Sequence, residues 1–143
     1  IKNFTEYIDD YDNGGQQTKF YKNTDIAFSP AAVGAASINI FPAKNTEISI
    51  SGKYVGRQYL DNTSQRSRSL KDYYVQDLRV SYEFGHSNFK SLLVFVKASN
   101  IFSAKYEANG YSFSYLYGGN LTTENYYFPM ATANVMVGLN IKL

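Results

Sequence analysis

The sequence MATANVMVGLNIKL, which occupies residues 130–143, decides the fold class of this chain. Its residues alternate between two faces over the whole stretch. The apolar positions are Ala131, Ala133, Val135, Val137, Leu139, Ile141 and Leu143. A period of two is typical of a β-strand with one apolar face and one mostly polar face. Ordinary strands are about 5–6 residues long, whereas a tilted strand that crosses a bilayer needs roughly 9–11. The stretch therefore predicts a long strand suited to a bilayer.

The composition excludes several classes of protein. The 143 residues carry a formal net charge of +2, which is too small to indicate a nucleic-acid partner. Cysteine is absent, so the chain has neither disulfides nor a thiolate metal site. No run of apolar residues is long enough for a transmembrane helix. A transmembrane strand gives a much weaker sequence signal, so the lack of a long apolar run does not exclude one.

Six segments have strand-like patterning and are separated by turn-like segments. They are residues 1–9, 25–41, 45–60, 72–84, 89–106 and 130–143. None of them has the capping residues or the 3.6-residue period of a helix. The sequence therefore predicts an all-β fold.

The connections between these segments alternate in length. Long polar connections are predicted at residues 10–24, 61–71 and 107–125, and tight turns at residues 42–44 and 85–88. An antiparallel up-and-down meander with all its long loops on one side is the layout of outer-membrane barrels. The pattern predicts that the whole chain, residues 1–143, is the C-terminal wall of such a barrel, with its C-terminus on the periplasmic side.

Two stretches resemble the end of TonB-dependent outer-membrane receptors, most closely those of the Bacteroidetes. They are SLLVFVKASNIFSAKYEANGYSFSYLYGG (91–119) and TTENYYFPMATANVMVGLNIKL (122–143). The residues that match the family motif are Asn100, Phe102 and Tyr106. The family usually ends in an aromatic residue as part of its assembly signal, and this chain ends in Leu143, which keeps the terminal position apolar.

The resemblance implies a large barrel of the 22-stranded plugged type in the bacterial outer membrane. It implies active uptake of a scarce nutrient, such as a metal–siderophore complex, cobalamin or a glycan. Six strands cannot close such a barrel. The implied partners are therefore membrane lipid, the rest of the barrel, a plug domain and, through an N-terminal part missing from this chain, TonB.

Two groups of residues are candidates for a site. Tyr111, Tyr115 and Tyr117 lie in a predicted extracellular loop, where tyrosine offers flat contact area and a hydrogen-bonding tip to a ligand. The charged residues Lys53, Arg57, Asp77, Arg79 and Glu83 are predicted to face the lumen, with Lys53 level with Arg79. The neighbouring aliphatic residues are predicted to face lipid. They are Ile48, Ile50, Leu78 and Val80.

Other interpretations of these residues stay open. Nothing in the sequence resembles a catalytic or metal-binding constellation, so we expect neither enzymatic activity nor a cofactor. The tyrosine-rich stretch could equally pack on neighbouring loops or lie at the membrane interface. Arg66 and Arg68 are interpreted as part of a charged surface loop. The alternative to a transporter is a soluble β-sandwich that serves in binding or adhesion, which explains the strands but not the alternating loop lengths.

Overall fold

The computed structural model of the protein describes residues 1–86 and 89–142. Within these ranges the chain forms eleven β-strands, and no helix there is long and apolar enough to cross a membrane. In chain order the strands are β1 (Asn3–Asp10), β2 (Gln16–Lys22), β3 (Val33–Ala43), β4 (Thr46–Val55), β5 (Gln58–Tyr59), β6 (Ser69–Leu70), β7 (Tyr73–His86), β8 (Phe89–Ser99), β9 (Glu107–Tyr117), β10 (Asn120–Pro129) and β11 (Asn134–Lys142). The predicted all-β class is confirmed.

The strands belong to two compact units. The sheet unit consists of residues 33–55, 73–105 and 131–142, and the hairpin unit of residues 1–32, 56–72 and 106–130. The chain alternates between the two, so the long connections between strands of the sheet unit contribute to the hairpin unit. None of the sheets formed by the described residues closes on itself.

The sheet unit is a five-stranded meander in the order β11-β8-β7-β4-β3. Every pair of neighbouring strands is antiparallel. Its five strands overlap five of the six predicted segments, and β3 and β7 each run two residues beyond the predicted end, into the predicted tight turns. The prediction of a sixth strand in this meander is wrong, because residues 3–10 of the first segment pair with β2 and β9 in the hairpin unit.

One face of the sheet unit is apolar across all five strands. Residues that pair directly lie on the same face of a sheet, so the register can be followed from strand to strand. One row across the sheet is Ile40, Ile48, Val80, Val96 and Val137. The adjacent row is Ile38, Ile50, Leu78, Ala98 and Val135. Many of these side chains stay exposed in the described structure, Val137 at 67%.

The opposite face contains an aromatic residue that the alternating pattern of β8 does not explain. Phe95 pairs directly with Gly138 of β11, and a Cβ atom at Gly138 would clash with the ring of Phe95. On the same face, the Arg79 guanidinium lies 4.5 Å from the centroid of that ring. The ring thus covers the backbone that the glycine leaves bare and provides a cation–π contact for Arg79.

The hairpin unit combines two β-hairpins in one sheet, in the order β10-β9-β1-β2. Each hairpin turns at a pair of glycines with positive φ, namely Gly14–Gly15 and Gly118–Gly119. Positive φ at both positions suits the twist of paired strands and is inexpensive only for glycine and a few polar residues. The predicted long loops at residues 10–24 and 107–125 are therefore largely hairpins, a correction to the sequence interpretation.

Candidate functional site

The most prominent feature of the hairpin unit is an exposed aromatic face on β9 and β10. Tyr111, Phe113 and Tyr115 alternate along β9, and Tyr126 of β10 pairs directly with Tyr111. The rings of Tyr111 and Tyr126 are 5.0 Å apart at an interplanar angle of 10°, and those of Phe113 and Tyr126 are 6.1 Å apart at 3°. These nearly parallel rings form one stacked cluster, and the side chains of Tyr111, Phe113 and Tyr126 stay exposed.

A carboxylate orders the tyrosine hydroxyls of this face. Tyr115 Oη donates a hydrogen bond of 2.8 Å to Glu124 Oε1, and Tyr126 Oη donates to Glu124 Oε2. The bonds from Tyr126 and Tyr115 lower the pKa of the Glu124 carboxyl. The same hydrogen bonds raise the pKa of the Tyr115 and Tyr126 phenols. At neutral pH the face therefore combines stacked rings with one ionised carboxylate.

The predicted ligand-contacting tyrosines lie in a strand rather than in a loop. Tyr111 and Tyr115 belong to the aromatic face, and the exposed Tyr117 lies at the end of β9 beside the turn. Sequence reasoning missed Phe113, Glu124 and Tyr126. The alternation of aromatic residues with serine in residues 111–115, followed by Gly118–Gly119, is a hairpin signal that could have found them.

Arg68 holds the hairpin unit together from inside. Its side chain is only 2% exposed, and it forms ion pairs with Glu6 and, at 2.9 Å, with Asp61. It also donates to Ser114 Oγ at 2.6 Å and to Thr123 Oγ1 at 3.3 Å. The interpretation of Arg68 as part of a charged surface loop is wrong, because the guanidinium is buried and binds residues of β1, β9 and β10 as well as Asp61 of its own segment.

The ionic partners of Arg68 keep it charged. Burial by itself lowers the pKa of the guanidinium, but the hydrogen bonds and negative charges of Asp61 and Glu6 outweigh burial and raise it above its ordinary value. Glu6 also accepts a bond of 2.7 Å from Tyr21 Oη, which in turn accepts one from Gln65 Nε2 at 2.9 Å. Such a network orders the segments that supply its members.

A second link joins the turns of the two hairpins. The backbone amides of Gly118 and Gly119 each donate a hydrogen bond of 2.8 Å to the Asp12 carboxylate, one to each oxygen. Hydrogen bonds to an ionised acceptor are among the stronger ones in proteins. Close by in sequence, β1 and β9 pair in parallel at Asp9 with Tyr115 and at Asp10 with Leu116.

The predicted lumen-facing charges are only partly brought together. Asp77 forms an ion pair of 2.9 Å with Lys97, and Arg79 contacts Phe95, while Glu83 pairs with Leu93 on the same face. Arg57 lies outside β4, in the hairpin unit. The prediction that Lys53 is level with Arg79 is wrong, because Lys53 pairs with Val75 and Arg79 with Ser49. The predicted register is wrong by an even number of residues, so Lys53 and Arg79 still lie on the same face of the sheet.

The three residues that match the family motif lie in different parts of the structure. Asn100 is buried, has a φ of 50°, and exchanges hydrogen bonds of 2.9 Å with the backbone of Ala104. Its amide nitrogen Nδ2 also donates to the Ala131 carbonyl at 3.2 Å. Phe102 is 68% exposed, and Tyr106 belongs to the hairpin unit. Asn100 thus ends β8 and orders the chain that follows it. The predicted assembly-signal residue Leu143 lies outside the described residues.

Two further searches bear on function. In residues 1–86 and 89–142, no group of histidine, cysteine, aspartate and glutamate side chains is arranged to hold a metal ion. Comparison of the chain with known protein families, curated proteins and solved structures finds no match.

Proposed function

We propose that this chain forms the C-terminal wall of a TonB-dependent transporter in a bacterial outer membrane. The observation that carries the proposal is the apolar face of the sheet unit, whose rows of aliphatic side chains run across all five strands and stay largely exposed. A water-soluble domain buries such a face against a second layer. In a barrel wall the face meets lipid. The outer edges of β3 and β11, which have no partner strand among the described residues, pair with the remaining strands of the barrel.

The alternation of connections supports the same assignment. Short turns on one side and long connections on the other are the pattern of outer-membrane barrels, with the long ones extracellular. On this proposal the C-terminus is periplasmic, and Ile48, Ile50, Leu78 and Val80 face lipid. Lys53, Asp77, Arg79 and Glu83 then face the lumen and the plug domain.

We propose that the aromatic face takes part in capturing the transported ligand. Its exposed stacked rings offer apolar contact area, and Glu124 with Tyr115 and Tyr126 offers hydrogen-bonding groups beside them. The substrate classes proposed are those that the family resemblance implies, a metal–siderophore complex, cobalamin or a glycan. The chain takes no part in covalent chemistry, and energy is supplied through the plug domain and TonB.

Heat-modifiable migration tests the proposal. The full-length protein that carries this chain is expressed in a Gram-negative host, extracted from the outer membrane in detergent and run on gels with and without boiling. A folded transmembrane barrel migrates differently before boiling, because detergent at low temperature does not unfold it. A protein that is folded and monomeric without detergent would contradict the transporter and favour a soluble β-sandwich.

A further inference from the structure

The hairpin unit has two carboxylates on the same side of its sheet as the aromatic face. Glu124 of β10 pairs directly with Phe113. Asp9 of β1 pairs directly with Tyr115, and directly paired residues turn their side chains to the same face of a sheet. Asp9 is exposed and Glu124 is half-buried. Because β9 lies between β10 and β1 in the sheet, the two carboxylates lie on either side of Tyr115.

The strands that carry these rings and carboxylates contain no basic residue. Their sequences are NFTEYIDD in β1, EANGYSFSYLY in β9 and NLTTENYYFP in β10. In β2 Lys22 shares the face, but it pairs with Asn3, at the opposite end of β1 from Asp9. Arg68 contacts the other face of the sheet, where it donates to Ser114. Negative charge therefore predominates on the aromatic face.

The hydrogen bonds around Glu124 decide what a ligand can offer to it. The phenol protons of Tyr115 and Tyr126 are both directed to the carboxylate, so the two phenol oxygens can only accept a further hydrogen bond. An ionised carboxylate accepts about four hydrogen bonds, and the phenols supply one to each of its oxygens. Free acceptor positions remain. A donor suits them, whereas an anion would meet acceptors and a like charge.

A ligand that covers the aromatic face also takes Glu124 out of water. The side chains of Tyr111, Phe113 and Tyr126 are exposed, so packing an apolar group on them removes apolar surface from water and favours binding. The same contact desolvates the neighbouring carboxylate, which is unfavourable unless its charge is paired. A neutral ligand leaves that charge unpaired, whereas an ammonium group donates to it and neutralises it.

From these features we propose that the aromatic face binds a cationic ligand in which a protonated amino group is attached to an apolar body. The amino group is seated at Glu124, with Asp9 as the neighbouring negative charge, and the apolar body contacts the stacked rings. This ligand class rests on the proposed role of the face in capturing the transported ligand. Among the substrates that the family resemblance implies, it favours those that carry a protonated amino group.

Three probes with the same apolar body test the proposal. Phenethylamine carries a protonated amino group, phenethyl alcohol a hydroxyl and hydrocinnamate a carboxylate. Binding is measured by saturation-transfer nuclear magnetic resonance on the full-length protein in lipid nanodiscs, with the signal of empty nanodiscs subtracted. The amine is expected to bind about tenfold more tightly than the alcohol, because it adds a charge-assisted hydrogen bond to Glu124. Hydrocinnamate is expected to bind more weakly than the alcohol, because like charges repel.

Matched variants locate the amino group. Glu124→Gln keeps the shape of the side chain and removes its charge, so it is expected to weaken amine binding about tenfold and to leave alcohol binding unchanged. Glu107→Gln is the control, because Glu107 is a half-buried glutamate of β9. It is expected to change the binding of each probe by less than about twofold. Tyr111→Ser removes a ring without a charge and is expected to weaken all three probes about threefold.

Three outcomes would each overturn the proposal. They are alcohol binding as tight as amine binding, a preference for the amine that persists in Glu124→Gln, and no binding of any probe. Gel migration separates these outcomes from the transporter assignment. A heat-modifiable protein without preference for the amine is a barrel with another ligand. Preference for the amine at Glu124 in a protein that is not heat-modifiable contradicts the transporter and leaves the ligand class standing.

Discussion

The hairpin unit and the sheet unit distribute their polar and apolar side chains in opposite ways. In the hairpin unit Arg68 is 2% exposed, whereas in the sheet unit Val137 is 67% exposed. The hairpin unit follows the rule that a buried charge is paired and hydrogen-bonded. The sheet unit places rows of aliphatic side chains on an uncovered face. On our proposal, the buried ion pairs of the hairpin unit belong to a part of the protein that lies in water, and the apolar face of the sheet unit meets lipid.

Removing the charge at the centre of the hairpin unit has the largest expected effect. Arg68→Met is expected to destabilise the hairpin unit by about 3 kcal/mol, because it leaves the partly buried carboxylates of Glu6 and Asp61 without a cation. Hydrogen exchange of amides in residues 1–32 measures the loss. Arg66→Met is the control, since Arg66 is exposed. Similar protection in the two variants would show that the network contributes no stability.

The second prediction tests the apolar face of the sheet unit. Val137→Arg is expected to lower the stability of the lipid-inserted protein by about 2–4 kcal/mol, as a charge on the lipid-facing side of a barrel strand does. Met136→Arg is the matched control on the opposite face, because Met136 neighbours Val137 and is 57% exposed. Gel migration of unboiled samples across a urea series measures both. Equal tolerance of the two substitutions would contradict lipid on the apolar face.

The third prediction concerns the pairing of Gly138 with Phe95. Gly138→Ala is expected to cost about 1–3 kcal/mol through overpacking, because the new Cβ collides with the Phe95 ring. Gly34→Ala is the control in the other edge strand, where a Cβ has nothing within 4 Å. Urea unfolding measures both variants. Adding Phe95→Leu to Gly138→Ala should restore part of the loss, and no difference between the two glycines would contradict this account.

The smallest effect is a change in titration. Burial, together with the hydrogen bond to Glu6 and its charge, raises the pKa of Tyr21 from 10.0 to about 12. Because the pKa is higher in the folded state, the stability linked to Tyr21 is fully present below pH 10 and is lost as the pH rises through about 12. Ultraviolet difference spectra between the wild type and Tyr21→Phe measure the transition. A difference transition centred near pH 10 would contradict the Glu6–Tyr21 interaction.

Sequence reasoning worked best where structure depends on local periodicity. The alternation in β4, β7 and β11 correctly placed Ile48 and Ile50 on the same face as Leu78 and Val80. This assignment of faces was correct although the predicted register was wrong, because a shift by an even number of residues leaves each side chain on the same face. No local pattern explains Phe95 in β8, because the reason for it lies in Gly138, 43 residues further along the chain.

The candidate site was harder to predict because its partners are distant in sequence. The tyrosines at positions 111, 115 and 117 were singled out by residue type, but their arrangement depends on β10, which supplies Tyr126 and Glu124. The burial of Arg68 could not be predicted from its polar neighbours. The neighbouring sequence does not distinguish Arg68 from the exposed Arg66. The difference comes from the partners of Arg68, such as Glu6 and Ser114, which are distant in sequence.

The amino-acid pattern alone was enough to predict an all-β protein and the side chains that share a face in β4, β7 and β11. A strand turns successive side chains to opposite faces, so the two-residue period encodes this locally. The folding of two long connections into hairpins around Arg68, and the aromatic face on β9 and β10, depend on tertiary contacts. These features depend on pairs such as Glu6 with Arg68 and Asp12 with Gly118, which are 62 and 106 residues apart. Pairing at such distances is decided by how the chain folds back on itself, which no local pattern encodes.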